Sequence, residues 1–190
     1  MNGIKVGYAL TGSFCTFEKS LTQMKKMKER GAEILPIMSF NAYNLDTRFG
    51  KAEFFRREIE IICGRSIVSS IEAAEPIGPK KLADVLVVLP CTGNTLAKLA
   101  NGIYDTPVTL AVKSHIRNQR PVVIGVSSND SLSASAKNIG TLLNMKHYYF
   151  IPMRQDDFEK KPFSVVCDFD KAIDTIEAAV YGKQLQPMLI

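Results

Sequence analysis

Apolar residues alternate along this chain between two rhythms. Short apolar runs at Ile4–Leu10, Ala32–Met38, Val85–Leu89 and Val122–Val126 read as strands buried on both faces. Between the runs, apolar positions recur at spacings of three and four. They are Phe14, Phe17, Leu21, Met24 and Met27; then Ala52, Phe55, Ile59 and Ile62; then Leu96, Leu99, Ala100 and Ile103. The same spacing returns at Val108, Val112, His115 and Ile116, at Leu132, Ile139, Leu142 and Leu143, and at Ile173, Ile176 and Val180. Each set is the one-sided stripe of an amphipathic helix. Ser13 stands where the first helix wants an N-cap, Gly31 where it should end, and Gly64 closes the second. Tyr148–Ile151 and Ser164–Cys167 read as late strands, and the end, Gly182–Ile190 with its Pro187, as a loosely held tail.

Fully apolar strands alternating with amphipathic helices predict a parallel sheet covered on both faces. The expected fold is a doubly wound α/β domain, Rossmann-like or flavodoxin-like, in three α/β/α layers. One domain spans 1–190. In such a sheet the ligand sits outside the carboxyl ends of the strands, so the loops there carry the functional reading.

Those loops share a composition. Thr11-Gly12-Ser13 follows the first strand, Ser39-Phe40-Asn41 the second, Pro90-Cys91-Thr92-Gly93-Asn94-Thr95 the third, and Ser127-Ser128-Asn129-Asp130 the fourth. Small hydroxyl and amide residues at helix starts serve as ordinary caps. They also build anion sites, where unpaired N–H groups and the positive helix end hold a phosphate. Four such loops at one sheet edge favour the second use. Gly7 and Gly12 have the spacing that opens a nucleoside-triphosphate loop, but Ser13 stands where its lysine belongs. The dinucleotide G-x-G-x-x-G is absent, and Ser39 ends the second strand in place of the acid that would hold a ribose. A mononucleotide remains, and FMN is the commonest redox example.

Charge and cysteine content narrow the field further. The chain has 190 residues and a net charge of +5. Its basic residues are scattered pairs on helix faces with no long run or aromatic-interleaved stripe, which argues against nucleic acid. No apolar run reaches the roughly 20 residues of a membrane span and no secretory signal is visible, so a cytoplasmic protein is expected. Cys15, Cys63, Cys91 and Cys167 are far apart, and neither His115 nor His147 lies in a ligand motif, so no metal site is expected. Cys91 beside the loops has no histidine near it in sequence and reads as a small buried residue, His115 as a packed one, and Asp156-Asp157 as a turn or cap.

At Pro90-Cys91-Thr92-Gly93-Asn94-Thr95, continuing to Asp105, the chain resembles the P-A-S-A-N-T segment of the homo-oligomeric flavin-containing cysteine decarboxylases and their relatives. These include phosphopantothenoylcysteine decarboxylase and the flavin prenyltransferases. Tyr149–Asp157 and Lys161–Ser164 resemble one branch of that group, the dipicolinate synthase B subunits of spore-forming bacteria. The resemblance implies FMN held by Gly12, Ser13, Phe14, Ser39, Thr92, Gly93, Asn94, Thr95 and Ser127, with its phosphate on Gly12-Ser13 and Ser39 and its ring near Thr92–Thr95. It makes Asn94 and Asn129 the candidate catalytic residues. It implies homo-oligomers and a separate A subunit, through which NAD(P) would act on a small dicarboxylate precursor. Arg48 and Arg154 are the candidate cations for that substrate's second carboxylate. Pro76 stands where the decarboxylases carry a histidine, which argues against cysteine decarboxylation. A flavin decarboxylase or prenyltransferase acting alone, and a non-catalytic scaffold subunit, are the alternatives.

Overall fold

A computed structural model describes residues 1–190. The parallel strands β1 (Lys5–Leu10), β2 (Glu33–Met38), β3 (Val85–Cys91), β4 (Val122–Ser128) and β5 (Tyr148–Phe150) lie in the order β2-β1-β3-β4-β5. That is the flavodoxin-like order, with its switch point between β1 and β3. The central strands are buried along nearly their whole length, as their apolar runs require. Helices α1 (Phe17–Glu29) and α8 (Ala172–Val180) pack on one face, with α3 (Ala52–Cys63) beside α1 and against β2. The short α4 (Ile71–Ala74), α5 (Gly93–Ala100), α6 (Pro107–Ile116) and α7 (Ala136–Leu143) cover the other. A brief α2 (Phe40–Asn44) follows β2. The result is the expected three-layer α/β/α sandwich around one apolar core. No helix is long and apolar enough to cross a membrane.

Four local expectations are corrected. Ser13 does not cap α1: a 3₁₀ turn over Phe14–Thr16 intervenes, and the Ser13 hydroxyl is engaged elsewhere. β3 does not stop before Pro90 but runs through it to Cys91, with an irregularity against β4 between Val88 and Cys91 that accommodates a residue lacking an N–H. Leu132 belongs to a turn ahead of α7 and is exposed. The tail is also held. Gln184 donates to Phe150 O at 2.6 Å and accepts from Phe150 N at 2.8 Å, and Met153 N donates to Met188 O at 2.9 Å.

The late strands fall where the sequence places them, as β5 and β7 (Val165–Cys167), but one edge of the sheet gains a further strand and antiparallel pairing. The second edge of β4 is shared: Val122–Ile124 pair in parallel with β5, while Ser127 and Ser128 pair antiparallel with β7. β7 in turn pairs antiparallel with β6 (Met153–Gln155). This hairpin continues the sheet past the carboxyl ends of the parallel strands and raises a lip on one side of the ligand edge.

Candidate functional site

Thr11 organises the switch point. It is fully buried, its hydroxyl donates to Pro90 O at 2.8 Å, and it accepts from Thr92 N at 3.0 Å. The loops after β1 and β3 are thereby locked side by side. The Ser13 hydroxyl lies 2.8 Å from that of Ser127, tying in the end of β4. Three of the four loops singled out in the sequence therefore converge on one open cleft of about 860 Å³, a size ordinary for small-molecule and cofactor sites. Gly12, Ser13 and Phe14 line it from β1, Thr92, Gly93 and Asn94 from β3, and Ser127 and Asn129 from β4.

The start of α5 is already occupied. Thr92 caps it, accepting from Thr95 N at 3.4 Å, and Thr95 is buried beneath the cap and does not line the cleft. Gly93 N donates to the Ser128 hydroxyl at 3.0 Å; Ser128 donates to Asp130 at 2.6 Å, and Ser135 donates to the other oxygen of Asp130 at 2.9 Å. A Cβ on Gly93 would stand 2.5 Å from Asp130 Oδ1, so only glycine permits this approach. A carboxylate thus already complements the positive end of α5. The loop Gly12–Ser13 is left as the end of the cleft open to an added anion.

Several candidates stand outside the wall. Ser39 caps α2, accepting from Ala42 N at 3.3 Å, behind the Gly12 loop. The Arg48 guanidinium stacks 4.9 Å from the Phe49 ring, and it is Phe49 that lines the cleft. Arg154 is exposed on β6 and borders a separate depression of about 290 Å³. Pro76 lies in a 3₁₀ turn packed on α6 and is not part of the wall.

Other cleft residues come from segments distant in sequence, and nothing in the sequence assigns them to this wall. α1 and the turn before it contribute Cys15 and Lys19; the β6–β7 hairpin contributes Asp156, Lys161 and Ser164–Val166. Lys161 Nζ bonds Asp156 at 2.8 Å, and that carboxylate holds the ammonium above its usual range. Lys19 makes no ion pair. Asp157 accepts from Glu159 N and Lys160 N, the turn role expected of it.

The nucleophile candidates sort by burial. Cys91 is fully buried and burial pushes its thiol far up, so it is the packed residue its sequence context suggested. Cys15 is the exposed cysteine, with Sγ 3.9 Å from the Ser13 hydroxyl. His115 is buried on α6 away from the cleft. Its Nε2 bonds Pro121 O at 3.1 Å while Nδ1 has no partner, and burial lowers its pKa to about 4. No group of three His, Cys, Asp or Glu side chains is placed to hold a metal ion.

Comparison with known proteins shows the family and the fold. A family model described as Flavoprotein matches residues 1–180. The dipicolinate synthase B subunit of Bacillus subtilis (strain 168) is 43% identical over 190 residues, covering 100% of this chain and 95% of that protein. The crystal structure of the dipicolinate synthase B subunit from Bacillus halodurans is similar at a TM-score of 0.92 and 42% identity, covering 100% of this chain and 98% of that one. The FMN-dependent cysteine decarboxylase SpaF shares the fold, with a TM-score of 0.67 at 24% identity over 94% of this chain and 97% of that one.

Proposed function

The chain belongs to the flavoprotein family, and from that premise we propose that it acts as the B subunit of a dipicolinate synthase. It would work with a separate A subunit to convert a dihydrodipicolinate-type precursor to pyridine-2,6-dicarboxylate. One observation carries the reading: the likeness to two B subunits extends over the whole chain, and so takes in the β6–β7 lip that walls the cleft.

The residues present fit FMN. The cleft is large enough, its floor is a set of hydroxyl and amide donors, and Asp130 complements the α5 terminus, leaving Gly12 and Ser13 as the phosphate end. In this reading Gly12, Ser13 and Phe14 hold the phosphate side, with Ser39 buttressing their loop from behind. Thr92, Gly93, Asn94 and Ser127 face the ring side, and Thr95 supports them through the cap. A bound flavin would supply a two-electron acceptor for a precursor ring that loses two hydrogens on becoming aromatic. The chain's own part is to orient that ring, with Asn94 and Asn129 as exposed amides in the cleft, and to shield it between Phe49 and the lip. Asp130 has both oxygens engaged by serine hydroxyls and Asp156 is paired with Lys161, so the proton leaving the ring passes to water or to a group of the A subunit. NAD(P) would enter only through that partner. We place the complex in the cytoplasm, in keeping with four unpaired cysteines. Exposed apolar side chains such as Phe54 and Ile61 on α3 suit homo-oligomers.

The test is reconstitution. The purified chain should acquire the visible spectrum of bound FMN on titration. Together with the A subunit it should yield dipicolinate from the precursor, with neither chain sufficient alone. Equal yield from the A subunit alone would overturn the assignment.

A further inference from the structure

We infer that Lys19, on α1, and Lys161, in the turn of the β6–β7 hairpin, clamp the two carboxylates of the substrate; this rests on the dicarboxylate reading above. Dipicolinate and its precursor are dianions whose carboxylates flank one ring. Neither arginine favoured by sequence lines the cleft: Arg48 stacks on Phe49 without reaching the lining, and Arg154 borders the neighbouring depression. The cations that do line it are Lys19, two turns after the β1 loop and standing between the cleft and that depression, and Lys161, in the turn of the β6–β7 hairpin.

The charge pattern of the wall points the same way. Its carboxylates are Asp130 and Asp156. Asp130 is bonded by Ser128 and Ser135 and complements the start of α5. Asp156 is bonded by Lys161. An ammonium has three donors, and the bond to Asp156 uses one, so Lys161 is steered by Asp156 and still has two to offer. Lys19 has no ionic partner at all. The lip and α1 therefore present one steered and one unpaired ammonium to strand-end loops rich in hydroxyls and amides, an arrangement suited to a small dianion. A monocarboxylate of the same ring would engage only one of them. Asp156 is a positioning residue in this scheme.

The probe is dipicolinate itself, with picolinate as the one-carboxylate control, each titrated into the FMN-loaded chain by calorimetry. The native chain should bind dipicolinate at least about tenfold more tightly than picolinate, the weight of one charge-assisted bond. Lys19→Gln and Lys161→Gln should each remove most of that ratio while leaving FMN affinity and the unfolding temperature unchanged, since both side chains are exposed. Asp156→Asn keeps the Lys161 charge but frees its position, and should reduce the ratio partway. An unchanged ratio in both lysine variants overturns the clamp. A parallel fall in FMN affinity also overturns it, because the lysines would then serve the cofactor phosphate. Dipicolinate formation by the native chain with the A subunit is scored separately: its absence rejects the functional reading, and its presence with an unchanged ratio rejects the clamp alone.

Discussion

Ser13 is the residue on which the cleft's open end turns. Its hydroxyl meets Ser127 at 2.8 Å, in a strand-end loop that bonds no carboxylate. Ser13→Asp places a negative charge where a phosphate should lie, and is expected to abolish FMN binding by fluorescence titration with the circular dichroism unchanged. Retained affinity would remove the β1 loop from the site. His115 tests a different property. Its folded pKa of about 4 lies below its unfolded value of 6.5, so the unfolded chain binds the extra proton between those limits. Stability is complete above about pH 6.5 and falls as pH drops toward 4. The shift corresponds to about 3 kcal/mol, as an order of magnitude. Urea midpoints measured from pH 7 to pH 4 should show this slope, and His115→Leu should flatten it. A slope identical in the variant would assign the acid sensitivity to other groups.

At the scale of elements, the contact between the α5 start and the β4 loop is the tightest join in the cleft. Gly93→Ala must push Asp130, Ser128 and Ser135 away together, since an added Cβ lies 2.5 to 2.7 Å from all three. We expect a loss of about 2 kcal/mol or more in denaturant unfolding, with weaker FMN binding, because the displaced loop carries Ser127 and Asn129. The parallel strands and long helices were legible in the sequence, because their apolar spacing is the packing itself. The lip was legible in part: Ser164–Cys167 reads as a strand and is β7, whereas β6 has three residues and buries only Met153, so no rhythm emerges from it and nothing local pairs the two. The same limit explains the cleft. Gly12, Ser13, Thr92 and Ser127 were readable because a parallel sheet brings its strand-end loops together. Nothing in the sequence singles out Lys19, and Lys161 belongs to one of the scattered basic pairs. Only the fold aims them at those loops. Arg48 and Arg154 suit a carboxylate by their chemistry, but neither lines the cleft.

For the molecule as a whole, the tail closes the architecture. Gln184 bonds both backbone groups of Phe150, and Met153 N and O bond Met188 O and Ile190 N, so the end of the chain stitches β5 and β6 together. Truncation after Lys183 removes these bonds and is expected to lower the unfolding temperature by several degrees, with the loss of a few hydrogen bonds' worth of stability. A truncated chain with unchanged melting would show the stitching to be dispensable. The divided edge of β4 also separates inheritance from novelty. Its first half, against β5, belongs to the scaffold common to every sheet of this winding. Its second half, against β7, carries an appendage whose register depends on two residue pairs alone, Ser127 with Val166 and Ser128 with Val165. Such a seam lets evolution, or an engineer grafting residues 153–167 from a relative, exchange one wall of the cleft without rewriting the sheet that supports the other.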